Sequence, residues 1–173
     1  MPAAKFKPPK LTLAFHETSA AKKSFAIKPA LKKNLKLAAD SVTQGEHPGL
    51  SQLELQVIFF DDEELLALNT RALGHDWYTD IITFEIDRSP TELSSEIYLS
   101  VDRAKENAKR YHNSIEEELA RLIIHGLLHL AGYDDHTLKG KKQMRTRERF
   151  YLVKSGVGAA LKADAVHNKG KAR

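Results

Sequence analysis

Leu53-Glu54-Leu55-Gln56-Val57-Ile58-Phe59-Phe60-Asp61-Asp62-Glu63-Glu64-Leu65-Leu66-Ala67-Leu68 changes its apolar period halfway along. Leu53, Leu55, Val57 and Phe59 recur at every second position, the spacing of a strand with one buried face. Asp61 or Asp62 can then accept the free N–H groups of a helix start, and Leu65, Leu66 and Leu68 carry helical spacing on to about Arg71. A strand that feeds directly into a helix is the unit of an α/β chain, and the flanking sequence extends it.

Upstream, Leu11, Leu13 and Phe15 alternate as a short strand, and Pro29 opens a helix carrying Ala30, Leu31, Leu35, Leu37, Ala38 and Val42. Gly45 to Gly49, with Pro48, reads as a turn. Downstream, Ala72 to Tyr78 is a loop holding Gly74 and Trp77, and Ile81 to Ile86 is β-branched and strand-like. A polar loop from Asp87 to Ser95 precedes a fourth strand, Glu96 to Val101, and a helix from about Asp102 to His112. Ser114-Ile115-Glu116-Glu117 is a capping box before the most apolar helix, which runs to about Ala131. A last helix spans about Lys139 to Lys154. Four strands and about five helices, with helices placed between strands, therefore indicate the fold class α/β (α+β) in a single domain.

The 173 residues suit one domain, expected over 1–155, with 156–173 as a flexible basic tail. No apolar run approaches the roughly 18 residues of a membrane span, and the Lys-containing N-terminus lacks the apolar stretch of a secretory signal, so a soluble cytoplasmic protein is expected. Cysteine is absent, which excludes disulfides, thiolate metal sites and cysteine nucleophiles and leaves His, Asp and Glu as metal ligands. The net charge of +4 is uneven: residues 1–40 balance to +7, 154–173 to +4 and 41–153 to −7. Basic ends on an acidic body point to a polyanionic partner such as nucleic acid; solubilising lysines are the plainer reading.

The chemistry is concentrated in His125-Gly126-Leu127-Leu128-His129-Leu130-Ala131-Gly132-Tyr133-Asp134-Asp135-His136. His125 and His129, one turn apart, project from one helix face and can share a divalent ion. Gly132 falls where a helix ends in the left-handed conformation that glycine tolerates, and such a turn can swing His136 back as third ligand. Three ligands leave one coordination position open, the pattern of a catalytic zinc site, and one Zn2+ is the default ion. The layout is that of H-E-x-x-H-x-x-G-x-x-H metalloproteases, but Gly126 stands where their general-base glutamate would be. Glycine transfers no proton, so metal-assisted phosphodiester hydrolysis is favoured over proteolysis.

His125 to Asp134 resembles the H-G-x-L-H-L-x-G-Y-D-H signature of the YbeY family of bacterial endoribonucleases. Leu68-Asn69 through Tyr78-Thr79-Asp80-Ile81-Ile82-Thr83-Phe84 is similar to its L-N…T-D-V-L-S-F segment, and Ser95-Glu96-Ile97-Tyr98-Leu99-Ser100 to its G-D-I-x-I-S strand. The helix from Asp102, with Asn107-Ala108, also fits, and the resemblance covers roughly residues 50–153. It implies a small mixed sheet packed by helices and zinc at the end of the His-bearing helix. It further implies cleavage of single-stranded RNA, maturation of the 16S rRNA 3′ end, ribosome quality control, and hence ribosomal RNA and the small subunit as partners.

The sequence departs from the family in three places. The family's third His falls at Asp135, with His136 one residue later; His136 is the expected ligand and Asp135 the alternative. The family's loop Arg falls at Leu73, which leaves Arg71 as the candidate to hold the scissile phosphate through bidentate hydrogen bonds, or as a solvated helix-end charge. Glu96 replaces an Asp, as a strand-end surface charge or as a partner behind a ligand His. Asp80 could orient RNA or cap its loop, and His75, Trp77 and Tyr78 could stack on unpaired bases or lie over the core. No proton-transfer group is identified. Two other functions fit the same residues: a ribosome-assembly RNA-binding factor with a structural zinc, or a metal-dependent hydrolase of another substrate.

Overall fold

Residues 7–157 are described in the computed structural model, as four strands and six helices: β1 (Lys10–Glu17), α1 (Ser19–Ser24), α2 (Pro29–Glu46), β2 (Gln52–Phe60), α3 (Asp62–Leu73), β3 (Ile81–Arg88), β4 (Glu92–Ser100), α4 (Val101–Arg110), α5 (Ile115–Leu130) and α6 (Leu138–Ser155). The expected basic tail, from residue 158 onward, lies outside the described residues. The strand order is β1-β2-β4-β3, with β2 parallel to both β1 and β4 and β3 antiparallel to β4. The sheet is mixed, as the family resemblance implies. Among the described residues no helix is long and apolar enough to cross a membrane.

The alternation of β2 turns Leu53, Leu55, Val57 and Phe59 to the core, where they meet Leu93, Ile97 and Leu99 of β4. The helix laid into this face is α5, which touches α2, α4, α6, β3 and β4. Its N-terminus is fixed by the predicted capping box: Ser114 Oγ accepts from Glu117 N at 3.1 Å, and Glu117 Oε2 accepts from Ser114 N at 2.9 Å. A second box closes the start of α3, between Asp61 and Glu64.

The sequence reading differs from the structure at three places, each with a local cause. The sixth helix, α1, is too short to show a period; the Thr18 hydroxyl caps it by accepting from Ala21 N at 3.1 Å. The polar stretch expected as a loop from Asp87 to Ser95 is mostly strand, because Ser89 Oγ accepts from Thr91 N and Glu92 N and tightens the hairpin to Ser89–Thr91. Asp87 and Arg88 lie on the edge strand β3, whereas Glu92 to Ser95 lie on the interior strand β4, where Ser95 is buried. The turn after α2 begins later than Gly45: this glycine is helical, and a Cβ there would lie 2.2 Å from Tyr151 Oη.

His47, just past α2, is buried, with Nε2 3.3 Å from the Leu127 carbonyl. Burial is the main influence and lowers its pKa below 6.5; the carbonyl contact opposes this and Arg88 adds to it. The unfolded chain therefore takes up this proton before the folded one does on acidification, so the associated stability is present above about pH 6.5 and declines below it. Urea unfolding is expected to show a lower midpoint at pH 5.5 than at pH 7.5, and His47→Gln to shrink the difference. An unaltered difference in that variant would assign the pH dependence elsewhere.

Candidate metal centre

Helix α5 ends one residue before Ala131, and the chain then reverses in a Schellman turn. Gly132 has φ 93°, its N–H donates to His129 O at 2.9 Å, and Tyr133 N–H donates to Leu128 O at 3.0 Å. The turn aims the Tyr133 carbonyl back at the helix, where it accepts from His129 Nδ1 at 2.9 Å. On the same face His125 Nδ1 donates to Glu148 Oε1 of α6 at 2.6 Å. Both acceptors lack a proton to give, so both Nδ1 atoms are protonated and both Nε2 atoms carry bare lone pairs.

Those two Nε2 atoms face each other at 3.0 Å. Neither can donate to the other, so the pair is repulsive unless a cation stands between them. Two tetrahedral zinc ligands at about 2.0–2.1 Å from the ion would lie a little over 3 Å apart, and the donor set therefore fits a divalent metal. Asp135 completes the arrangement, with Oδ1 3.8 Å from His129 Nε2; the ligating atoms of His125, His129 and Asp135 all lie within 4.8 Å of one another. Burial, and next the neighbouring His125, lower the His129 pKa against the raising effect of the Tyr133 carbonyl and the acidic turn. That shift keeps the imidazole in its ligating form.

His136 lines the same cleft as His125, His129 and Asp135, but its ring is not among the ligand atoms clustered with the helix pair. Its side chain is 89% exposed, its backbone N–H donates to Asp134 Oδ1 at 2.7 Å, and its Nε2 lies 3.7 Å from that carboxylate. Arg71 is exposed on α3 and lines neither cleft beside the histidines. Glu96 belongs to a different environment: it accepts from Tyr98 Oη at 2.7 Å, and burial followed by this contact pushes the phenol up to about 12. Asp80 lies at the centre of a polar network, accepting from Asn107 Nδ2 at 3.1 Å with the Arg121 guanidinium at 3.6 Å.

Glu148 is the residue that the sequence does not single out. It reads there as one carboxylate in a run of cations, and only the packing of α6 on α5 brings it behind His125. Arg121 joins it from α5, paired with Glu118 at 2.7 Å and 3.6 Å from Glu148. Burial disfavours its charge, but Glu118 and the other two carboxylates outweigh this and hold its pKa above the ordinary value. The turn is clamped from its other side by Glu46, which accepts from Tyr133 Oη at 3.0 Å and from Tyr151 Oη, with Arg147 as ion-pair partner.

Two clefts meet at the centre. One is lined by both signs of charge, with Arg121, Lys141 and Arg145 facing Asp80, Asp135 and Glu148 beside His125. The other is bounded by the end of α3 and the loop that follows it from Gly74, where His75 and Trp77 stack with centroids 4.3 Å apart and Trp77 is 58% exposed. Buried Asn69 holds this loop by donating from Nδ2 to the Trp77 carbonyl at 2.9 Å. Tyr78 turns away instead, donating to Glu63 under the Arg103 guanidinium.

Gly126 faces the sheet. A Cβ there would lie 2.7 Å from both Ile97 Cδ1 and Thr83 Oγ1. A glutamate at the metalloprotease position would thus be driven into the core as an unpaired carboxylate. Gly126→Glu is expected to lower stability by at least about 4 kcal/mol in urea unfolding and to confer no peptidase activity. A stable Gly126→Glu protein that hydrolyses casein would contradict the packing account.

Comparison with known proteins agrees with this geometry. The family Endoribonuclease YbeY matches residues 16–156. An Endoribonuclease YbeY of Cytophaga hutchinsonii is 48% identical over 98 residues, covering 57% of this chain and 68% of that one. Another, of Chlorobium luteolum, is 39% identical over 115 residues, covering 66% and 82%. The solution structure of TM1509 from Thermotoga maritima superposes with a TM-score of 0.56 at 26% identity, over 87% of this chain and 93% of that one. A match running from the end of β1 through α6, with two histidines converging at one helix end within it, leads to one conclusion: this chain belongs to the endoribonuclease YbeY family.

Proposed function

We propose that the protein is a zinc-dependent endoribonuclease that cuts single-stranded RNA in the cytoplasm. Its setting is ribosomal RNA processing, including 16S rRNA 3′-end maturation, and ribosome quality control, with the small subunit as partner. The observation that carries the reading is the pair of unprotonated Nε2 atoms at 3.0 Å with Asp135 beside them, where a charged cleft and an aromatic one meet. The names of the relatives support RNA as substrate, and the chemistry of the clefts supports a single strand.

In this reading residues 1–155 are the catalytic domain, and His125, His129 and Asp135 hold one zinc ion; the outward ring of His136 favours Asp135 as third ligand. A zinc ion there supplies Lewis acidity at the scissile phosphate. Everything else falls to side chains of the chain itself. Glu148 and the Tyr133 carbonyl fix the tautomers and ring planes of the two histidines. Lys141 and Arg145 lie in the cleft beside them and take the phosphate-holding role expected of Arg71. The exposed face of Trp77 receives an unpaired base, which a duplex cannot offer without unstacking.

The test compares wild type with His129→Ala, Asp135→Ala and His136→Ala in bound metal per chain and in cleavage of a single-stranded RNA. Wild type and His136→Ala are expected to carry about one zinc and to cleave. The other two should lose both properties by tenfold or more. Metal retained in Asp135→Ala but lost in His136→Ala would reverse the ligand assignment. Cleavage that is undiminished in His129→Ala would remove the metal from catalysis altogether.

A further inference from the structure

We propose that the outer face of α6 is a phosphate track that holds the flank of a single-stranded RNA whose scissile bond lies at the metal centre. The proposal rests on the endoribonuclease reading and extends it beyond the cleft. Helix α6 carries seven cations and a single acidic residue, Glu148, which is turned inward behind His125. One cation, Arg147, is ion-paired to Glu46. Among the described residues none of Lys139, Lys141, Lys142, Arg145 and Arg149 has a carboxylate at ion-pairing distance, and all five are exposed.

The unpaired cations are not scattered. Lys141, Arg145 and Arg149 recur every fourth residue, about 6 Å apart along the helix axis. Lys141 and Arg145 line the charged cleft at His125, and the same two line a second, open groove with Lys142 and Arg149. The two hollows therefore share a wall, and these two cations lead from the edge of a cleft that also holds Asp80, Asp135 and Glu148 onto a helix surface whose charges are all positive. Like charges one turn apart destabilise a helix by about 0.2–0.5 kcal/mol per pair, so this spacing weakens α6 when it stands alone. A polyanion laid along it would relieve the repulsion and release its own counterions. The groove offers charge but few base-reading groups, so it would grip backbone phosphates without regard to sequence.

Lys142 and Arg149 line only the outer groove, so the double variant K142Q/R149Q tests the track apart from the centre. The probe is a labelled 20-nucleotide oligodeoxythymidylate, which presents the phosphates but lacks the 2′-hydroxyl, with binding read by anisotropy between 50 and 200 mM NaCl. At 100 mM the variant is expected to bind about tenfold more weakly, with a salt slope shallower by about 1.4, or 0.7 for each lost single-strand contact. In cleavage it should raise KM for a 20-nucleotide RNA and leave kcat on a 6-nucleotide RNA unchanged. Equal affinity, slope and KM in a wild type and variant that both cleave RNA would overturn the track. A wild type that binds the oligonucleotide but leaves RNA intact would instead overturn the endoribonuclease reading.

Discussion

Two imidazole lone pairs held face to face inside a protein are an electrostatic debt, and much of this fold serves to keep them so. His125 and His129 cannot relax apart, because each ring is pinned at its far nitrogen by an acceptor on another part of the chain: Glu148 on α6 and the Tyr133 carbonyl in the turn. Those acceptors are themselves fixed. The turn depends on the left-handed conformation of Gly132 and on Glu46 at the end of α2, which binds Tyr133, Tyr151 and Arg147 together. Helix α6 is seated closely enough for Gly140 to lie against the Asp134 backbone, where a Cβ would come within 2.2 Å of its oxygen. Geometry at the centre is thus set by three helices and one turn rather than by the ligands alone.

The charge distribution follows the same division of labour. Carboxylates gather on the buried side of the centre, where Glu118, Glu148 and Asp80 surround Arg121. Cations gather on the open side, along α6. A substrate phosphate approaching along α6 from solvent meets the second group first, while Arg121 offsets part of the carboxylate charge behind it. Burial enforces this sorting, because an unpaired charge is tolerated at the surface and costly within.

Strand β2, the helix after it and the capped apolar helix were legible because each shows a clean period and a start signal within a few residues. The pair His125 and His129 was legible for the same reason: spacing on one helix is a local property. What escaped were features that depend on contacts distant in sequence. Glu148 lies 23 residues from its histidine and has no local signature. Which of Asp135 and His136 lies nearer the helix pair depends on which way a turn rolls, and the Asp134 side chain that accepts from the His136 N–H is part of that turn. Gly45 carried the usual signal of a turn but is a helical packing contact with Tyr151. The β3–β4 hairpin resembles a loop in sequence because Ser89, Ser94 and Ser95 are polar, and only pairing with β2 and β3 makes strand residues of Ser94 and Ser95.

The Schellman turn ties the metal centre to thermodynamics as well as to geometry. Its carbonyl orients a ligand, and its tyrosine is bonded to the end of α2, so an ion that stabilises the ring positions also stabilises the packing of α2, α5 and α6. Occupancy and folding are then linked equilibria: free metal at a hundred times its dissociation constant adds about 2.7 kcal/mol to the folded state. For a domain of this size that is a sizeable share of the whole, since such domains are stable by only about 5–15 kcal/mol. On the metal-dependent reading proposed above, metal supply would set how long the chain survives as well as whether it is active.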